Sequence, residues 1–577
     1  MSQIRRGGPC PLRAFRRYPT TCRSILNVSR FCLNHVATAL APDADIMREA
    51  FIRRRNLRRA LAIAVLVGIA LTIGSACFAQ VIPKQPPTPL SKLVPPSGSG
   101  VCAVGKSCAE VAPVIIESAL GASPLEENLR YLTDSIGGRV TGSAAADRAV
   151  GWAVEAFRHT GVDEVLTEKF TVPVGWAEGP THVEVLSPEP FRVRLVATGW
   201  SPPTPEGGVT ADIVDVGAGD EAGFAKIGSA AKDAIVLVHS DLLVTWDDLS
   251  NEYKFQPGII ARAASAGAAA IFWMSTRPNL LLYRHTSSGD GKLEDLPQAI
   301  VAREDAERIA RFLASGQKVR VHFDMPNRVS GPVESENVIA EIRGREKPDE
   351  FVLVGAHLDS WELGTGALDN GCNAAMVIDA ARAIRASGSL PRRSIRFALF
   401  TGEEQGMLGS WAYARAHRAE LDRMIAAVIF DNGNGRATGY SLEGRKDVLA
   451  AVRDALGPIE SLGVKEFTLD ADADTDNFDF LLEGVPTLVA NQEPANYMLN
   501  YHAASDTFDK VDIAELKKHV AILGVTAYAL ADREERIGPR QTRKEVEDLM
   551  KQTGLDEELK LEGLWKMWES GERGRAE

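Results

Sequence analysis

The feature that most constrains this chain is a set of apolar runs that all stop at chemistry. "FVLVGAHLD" (351–359), "SIRFALFTGEE" (394–404) and "IAAVIFDNGNG" (425–435) each run apolar, then turn polar within a residue or two. Runs without polar alternation read as strands buried on both faces. Between and after them, "AAMVIDAARAIRAS" and "SWAYARAHRAELDRM" carry apolar residues at helical spacing. "SGPVESENVIAEIRG" precedes them as a strand; "VPTLVANQ" and "ELKKHVAILGVTAYALAD" follow as a strand and a closing helix. Strand–helix alternation of this kind predicts an α/β fold, a mostly parallel mixed sheet flanked by helices. Ligands in such folds bind beyond the carboxyl ends of the strands. Three of the strands end in His/Asp, Glu/Glu and Asp.

The rest of the chain divides around that unit. With 577 residues, 45% of them hydrophobic, there is material for two or three domains. "SALGASPLEENLRYLTDSIG", the turn "GGRVTGS" (137–143), "AAADRAVGWAVEAFRHTG" and "VDEVLTEKFTVPV" read as helix, turn, helix and strand. From 176 to 330 the pattern changes to short strands: "THVEVLSP", "FRVRLVATG", "TADIVDVG" and "DAIVLVHSD". They are followed by a helix and strand in "GIIARAASAGAAAIFWM". We therefore expect a discontinuous α/β domain, 111–175 and 331–532, interrupted by a mixed β-rich domain at 176–330. A charged helical tail at 533–577 carries Trp565, Met567 and Trp568, which either dock on the body or mediate association.

Charge separates the N-terminus from everything else. Residues 1–79 carry a net charge of +10, and the remainder −22. A body that acidic, with no basic stripe, excludes a nucleic-acid partner. The positive segment has a simpler meaning. From Met47, an arginine cluster (Arg53, Arg54, Arg55, Arg58, Arg59) precedes the apolar run 60–76, and small residues at Cys77 and Ala79 stand before Gln80. This pattern predicts an export signal, hence a periplasmic or extracellular location; uncleaved, the same run would anchor the chain facing outward. Residues 1–46 make no sense as part of that signal, and Met47 reads as the true start. Residues 80–110 are a Pro/Ser-rich linker. Only Cys102, Cys108 and Cys372 follow the signal, so no disulfide framework holds the fold, although Cys102 and Cys108 are spaced to pair.

Five side chains stand out at the strand ends and in the loops after them: His357, Asp369, Glu404, Asp431 and His502, with Asp359 and Glu403 beside them. Taken singly, each is better explained as a turn, a solvated surface group or a hydrogen-bonded histidine. Together they are imidazole and carboxylate donors in the number that two divalent cations require. Zinc suits the set, with cobalt or manganese as alternatives. Adjacent glutamates then make sense: one binds metal while its neighbour moves protons. Asp359, two residues beyond His357, can take the imidazole's free N–H and fix the tautomer.

These motifs resemble the co-catalytic zinc exopeptidases, which include bacterial aminopeptidases and the plasma glutamate carboxypeptidase-like branch. The resemblance is carried by "HLDSWELGTGALDNG", "TGEEQGMLGS", "YHAASDT" and "GGRVTGS", and it spans 112–532. "AKDAIVLVHSD" and "GIIARAASAGAAAIF" are similar to a protease-associated domain. The resemblance implies that Asp369 bridges two zinc ions, with His357 and Asp431 at one and Glu404 and His502 at the other. It implies that Glu403 is the general base and that a cis peptide joins Asp369 to Asn370. It places Asp476 near the site, gives Asp506 a loop-fixing role and leaves Cys372 outside the ligand set. It also implies a homodimer acting on short peptides or dipeptides. Which peptide end is read stays open; an aminopeptidase or dipeptidase is expected ahead of a carboxypeptidase. A cyclase or amidohydrolase relative, or a receptor-like homologue without catalysis, would share the fold.

Overall fold

The computed structural model describes residues 108–286 and 288–576. The N-terminal extension, the expected export signal, Cys102 and nearly all of the expected 80–110 linker lie outside the described residues.

The catalytic sheet has eight strands: β1 (Glu164–Val172), β2 (Val333–Ile342), β3 (Lys347–His357), β4 (Arg393–Phe400), β5 (Met424–Ile429), β6 (Ala437–Ser441), β7 (Glu466–Thr468) and β8 (Thr487–Gln492). Their order is β1-β2-β4-β3-β5-β8-β6-β7. The four central strands, β4, β3, β5 and β8, are parallel, with antiparallel strands outside them on both sides. Side chains alternate across a strand. In β3, Val352, Val354 and Ala356 therefore enter one core, and Phe351 and Leu353 enter the core on the opposite face. Burying both faces is what makes the run read as uniformly apolar. Each fully buried side chain of this size stabilises by about 1.5–3 kcal/mol.

Helices cover the sheet: α1 (Cys108–Leu120), α2 (Ala144–Thr160), α3 (Cys372–Ala386), α4 (Leu408–Ala416) and α5 (Ile513–Asp532). Helix α2 is delimited by its sequence. The Ser143 hydroxyl accepts the N–H of Ala146 at the start, and Gly161 takes the left-handed conformation (φ 80°) at the end. Helices α1, α3 and α5 pack on one another, and α3 and α5 also pack on β3 and β4. All but three residues of α3 are buried, so the helix is apolar nearly all round.

Register puts the ends of the parallel strands at one edge: His357 pairs with Phe400, and Gly355 with Ile429. The chain then leaves the sheet as His357-Leu358-Asp359, Thr401-Gly402-Glu403-Glu404 and Phe430-Asp431.

A second eight-stranded sheet is built entirely from residues 182–324, between β1 and β2 in the chain. Its central strands, Val209–Asp215, Ile235–Val238, Ala270–Met274 and Gln298–Val301, are parallel. A two-stranded ribbon, Gly175–Ala177 against Arg328–Ser330, carries the chain in and out.

Two expectations need correction. The helix predicted over 410–424 stops at Ala416, because His417 turns back to stack on the Tyr413 ring and pair with Glu168 at 2.9 Å. "FRVRLVATG" forms two short strands, Phe191–Arg192 and Leu195–Ala197, on opposite edges of the second sheet. Strands β6 and β7 had no clear signal, being short, and one is interrupted by Gly439. That glycine lets the strands close up, since a Cβ there would lie 1.7 Å from the Glu466 carbonyl oxygen. The tail docks on the body: Trp568 is buried, and the Arg573 guanidinium donates two 2.8 Å bonds to Asp479.

Candidate metal centre

Four loops converge beyond the parallel strand ends. His357 Nε2 lies 2.9 Å from Asp431 Oδ1 and 3.1 Å from Asp369 Oδ1. His502 Nε2 lies 2.8 Å from Glu404 Oε2 and 3.2 Å from Asp369 Oδ2. The donor atoms of His357, Asp369 and Asp431 fall within 4.8 Å of one another, and so do those of Asp369, Glu404 and His502. The two triads share Asp369, which offers one oxygen to each. All five residues are buried.

The donors fit divalent zinc. They are imidazole nitrogens and carboxylate oxygens, and no thiolate is among them. Cys372 Sγ instead faces the Leu368 carbonyl at 3.4 Å. Asp369 Oδ2 and Glu404 Oε1 are buried without a hydrogen bond of acceptable geometry, as oxygens kept for a cation would be. Two triads joined by a bridging aspartate form a dinuclear centre, with zinc as the metal the donor set favours. A third acidic group, Asp472, Asp474 and Glu558, is unlike it. Its two aspartates are exposed, and Lys254 already neutralises Glu558 at 2.8 Å.

Electrostatics report the crowding. Burial pushes the Glu403 carboxyl well above the usual range; His357 opposes this, while Asp431 and Glu404 add to it. Burial likewise lifts Glu404 to about 7, against the pull of His502. Burial works to lower both imidazoles, but carboxylates win. Asp431 and Glu403 raise His357 well above its ordinary value, and Glu404 and Asp369 raise His502 to about 9. Asp369 goes the other way: burial raises it, and the imidazoles of His357 and His502, at 3.1 and 3.2 Å, hold it below the ordinary carboxylate value.

A supporting layer fixes these groups. The Asp369–Asn370 peptide is cis. Asp506 accepts the N–H groups of Leu368 (2.7 Å) and Asp369 (3.1 Å), so it holds the bridging loop and is no ligand. The Asn370 amide donates to the Phe430 carbonyl at 3.0 Å, which ties the Asp369 loop to the Asp431 loop. Asp359 differs in detail from its expected role. His357 Nδ1 meets the Asp359 carbonyl oxygen at 3.1 Å, with the carboxylate farther away at 3.5 Å. That carboxylate accepts the Thr141 hydroxyl at 2.8 Å and the Glu403 N–H at 3.4 Å. Asp476 is fully buried beside His357 and Asp431, and burial pushes it up to about 8.

Sequence reasoning missed two groups. Arg139, in "GGRVTGS", is completely buried; it donates to the carbonyls of Leu358 (2.5 Å), Thr365 (2.9 Å) and Gly366 (2.9 Å). Burial lowers its pKa to about 10. An arginine inside a glycine-rich turn was the available signal. The other group is His285, from the second sheet's part of the chain. Its ring centroid lies 6.5 Å from that of His502, and nothing in its sequence neighbourhood marked it.

Comparison with known proteins agrees with the geometry. Residues 337–527 match the model for Peptidase family M28. The chain is 29% identical to Carboxypeptidase Q of Mus musculus over 415 residues, covering 71% of this chain and 86% of that protein. It is 23% identical to Aminopeptidase YwaD of Bacillus subtilis, covering 72% and 86%. A crystal structure of a Peptidase M28 precursor from Shewanella amazonensis superposes with a TM-score of 0.69 at 29% identity, covering 75% of this chain and 99% of that one. With its paired triads on a half-parallel sheet and an M28-like region over 337–527, the chain is a dinuclear zinc exopeptidase.

Proposed function

We propose that the chain is a carboxypeptidase acting on short peptides, dipeptides foremost. The observation that carries this reading is the match to mouse carboxypeptidase Q, which is higher in identity than the match to the Bacillus subtilis aminopeptidase at the same 86% span of each relative. It moves the preference away from the N-terminal cleavage expected from sequence.

The mechanism places each side chain in a role. The two triads (His357, Asp369 and Asp431; Asp369, Glu404 and His502) would hold a pair of cations, which would supply Lewis-acid polarisation of the scissile carbonyl and acidify the attacking water. Glu403 stands beside the pair, its Oε2 3.9 Å from His357 Nε2, and it is the carboxylate in neither triad. It takes a proton from the attacking water and returns one to the leaving amine. Asp359 holds this base through the Glu403 N–H, and Thr141 holds Asp359 while also accepting the Gly402 N–H at 2.8 Å. The Asp359 carbonyl on Nδ1 leaves His357 Nε2 to face Asp369 and Asp431. A narrow cavity lined by Trp361, Gly364, Asp369, Glu404 and His502 opens on the second triad.

A panel of free, N-acetylated and C-amidated dipeptides tests the direction. A carboxypeptidase cleaves the N-acetylated members and spares the amides; the reverse pattern overturns the proposal. Exhaustive chelation should abolish all turnover, and added zinc should restore it.

A further inference from the structure

We infer that His285 is a catalytic residue: its imidazole N–H donates a hydrogen bond to the scissile carbonyl oxygen as that oxygen gains negative charge. The inference rests on the peptidase reading of the centre, whichever terminus is cleaved.

The first observation is an orphan. His285 is 1% exposed, and among the described residues neither Nδ1 nor Nε2 has a hydrogen-bond partner. A buried polar group without a partner is costly, so a ring with two such atoms is a poor choice for mere filling. Its packing neighbour is Tyr253, met edge-on with centroids 4.4 Å apart, and Tyr253 spends its hydroxyl on the Tyr501 hydroxyl. No group among the described residues takes either imidazole nitrogen, which leaves both for a bound molecule.

The second observation is placement. Residues 282–285 run alongside the segment that carries the ligand His502. Ala504 donates its N–H to Leu282 (3.0 Å), Arg284 donates its own to His502 (2.9 Å), and Tyr283 bridges to Ala503. The segment is held on its other side as well. Gly199 donates its N–H to the His285 carbonyl at 2.7 Å, and the Thr286 hydroxyl bonds the Gly199 carbonyl at 3.0 Å. The buried Arg284 pairs with Glu178 (2.5 Å) and Glu362 (2.7 Å). A ring on so constrained a backbone is pre-organised, which is what stabilisation of developing charge requires.

The third point is the role this geometry allows. The ring acts here as a hydrogen-bond donor. It polarises a carbonyl without transferring a proton, so Glu403 remains the only proton carrier. Neutral imidazoles serve this purpose in other enzymes.

The test compares His285→Phe, which keeps the packing ring, with His285→Asn, which keeps a donor. Losing one such donor lowers kcat about 100-fold. We expect that loss in His285→Phe, with KM within about threefold and zinc stoichiometry unchanged, and partial recovery in His285→Asn. Calorimetry with a phosphinate dipeptide analogue, which mimics the tetrahedral anion, should show a matching loss of affinity, while affinity for the product amino acid holds. Full kcat in His285→Phe, equal losses for analogue and product, or loss of zinc would each overturn the inference. Should the wild type cleave no dipeptide at all, the functional reading fails, and analogue binding still decides the role of His285.

Discussion

The two large sheets share a central plan and differ in what they hold. Each places four parallel strands in the middle of eight, with antiparallel strands outside. Each therefore presents a carboxyl edge of the kind that binds ligands. At the catalytic edge, His357, Asp369, Glu404, Asp431 and His502 are all buried, and several oxygens lack partners. At the other edge, Asp215 and His239 end neighbouring strands and satisfy each other at 3.0 Å, with about a third of each side chain in solvent. Burial pushes the catalytic carboxyls Glu403, Glu404 and Asp431 up. Mutual hydrogen bonding moves Asp215 down and His239 up. The fold supplies the edge; charge density in excess of internal partners is what calls for cations.

That contrast breaks most severely at the shared ligand. Asp369→Asn removes the negative charge common to both triads while keeping the shape. Zinc bound per chain should fall from two to one or none, and kcat/KM by about 10⁴-fold or more, because neither nucleophile activation nor carbonyl polarisation survives intact. Metal analysis beside dipeptide turnover measures both. Two zinc ions retained in this variant would remove Asp369 from the bridge.

Glu403→Gln cuts one layer further out. The triads do not include Glu403, so zinc should stay at two per chain while kcat falls about 10²–10⁴-fold, the range for loss of a general base. Full activity with full metal would return the role to another group, and Asp476, buried beside His357, would be the next to replace.

The sequence revealed the catalytic edge because parallel strands buried on both faces leave long apolar runs, and the polar residue that breaks each run is conspicuous. Asp369 and His502 sit in loops but within dense local motifs. What stayed hidden depends on distance along the chain. Arg139 reaches carbonyls more than 200 positions away. Residues 282–285 pair with 502–504 across a similar gap. Arg573 in the tail donates to the Gly406 carbonyl at 3.2 Å, just past the paired glutamates. No local periodicity encodes such partners. Short strands such as β7, three residues long, give too little alternation to register.

The smallest effect belongs to the second sheet's own pair. His239 has a folded pKa above its ordinary 6.5, so the stability it contributes is complete below that value and is lost as pH rises through the folded pKa. Asp215 lies below its ordinary 3.8, so its share is present above that value and is lost as pH falls through the folded pKa. Together they act between about pH 4 and 6.5 and fade above it. With both side chains partly in solvent, the pair is worth less than about 1 kcal/mol. His239→Gln should thus weaken urea stability slightly at pH 5.5 and leave it unchanged at pH 8.5, with kcat and zinc content at wild-type levels. A loss of turnover in this variant would show that the second sheet's edge shares in the chemistry, and the contrast between a catalytic edge and a merely satisfied one would no longer hold.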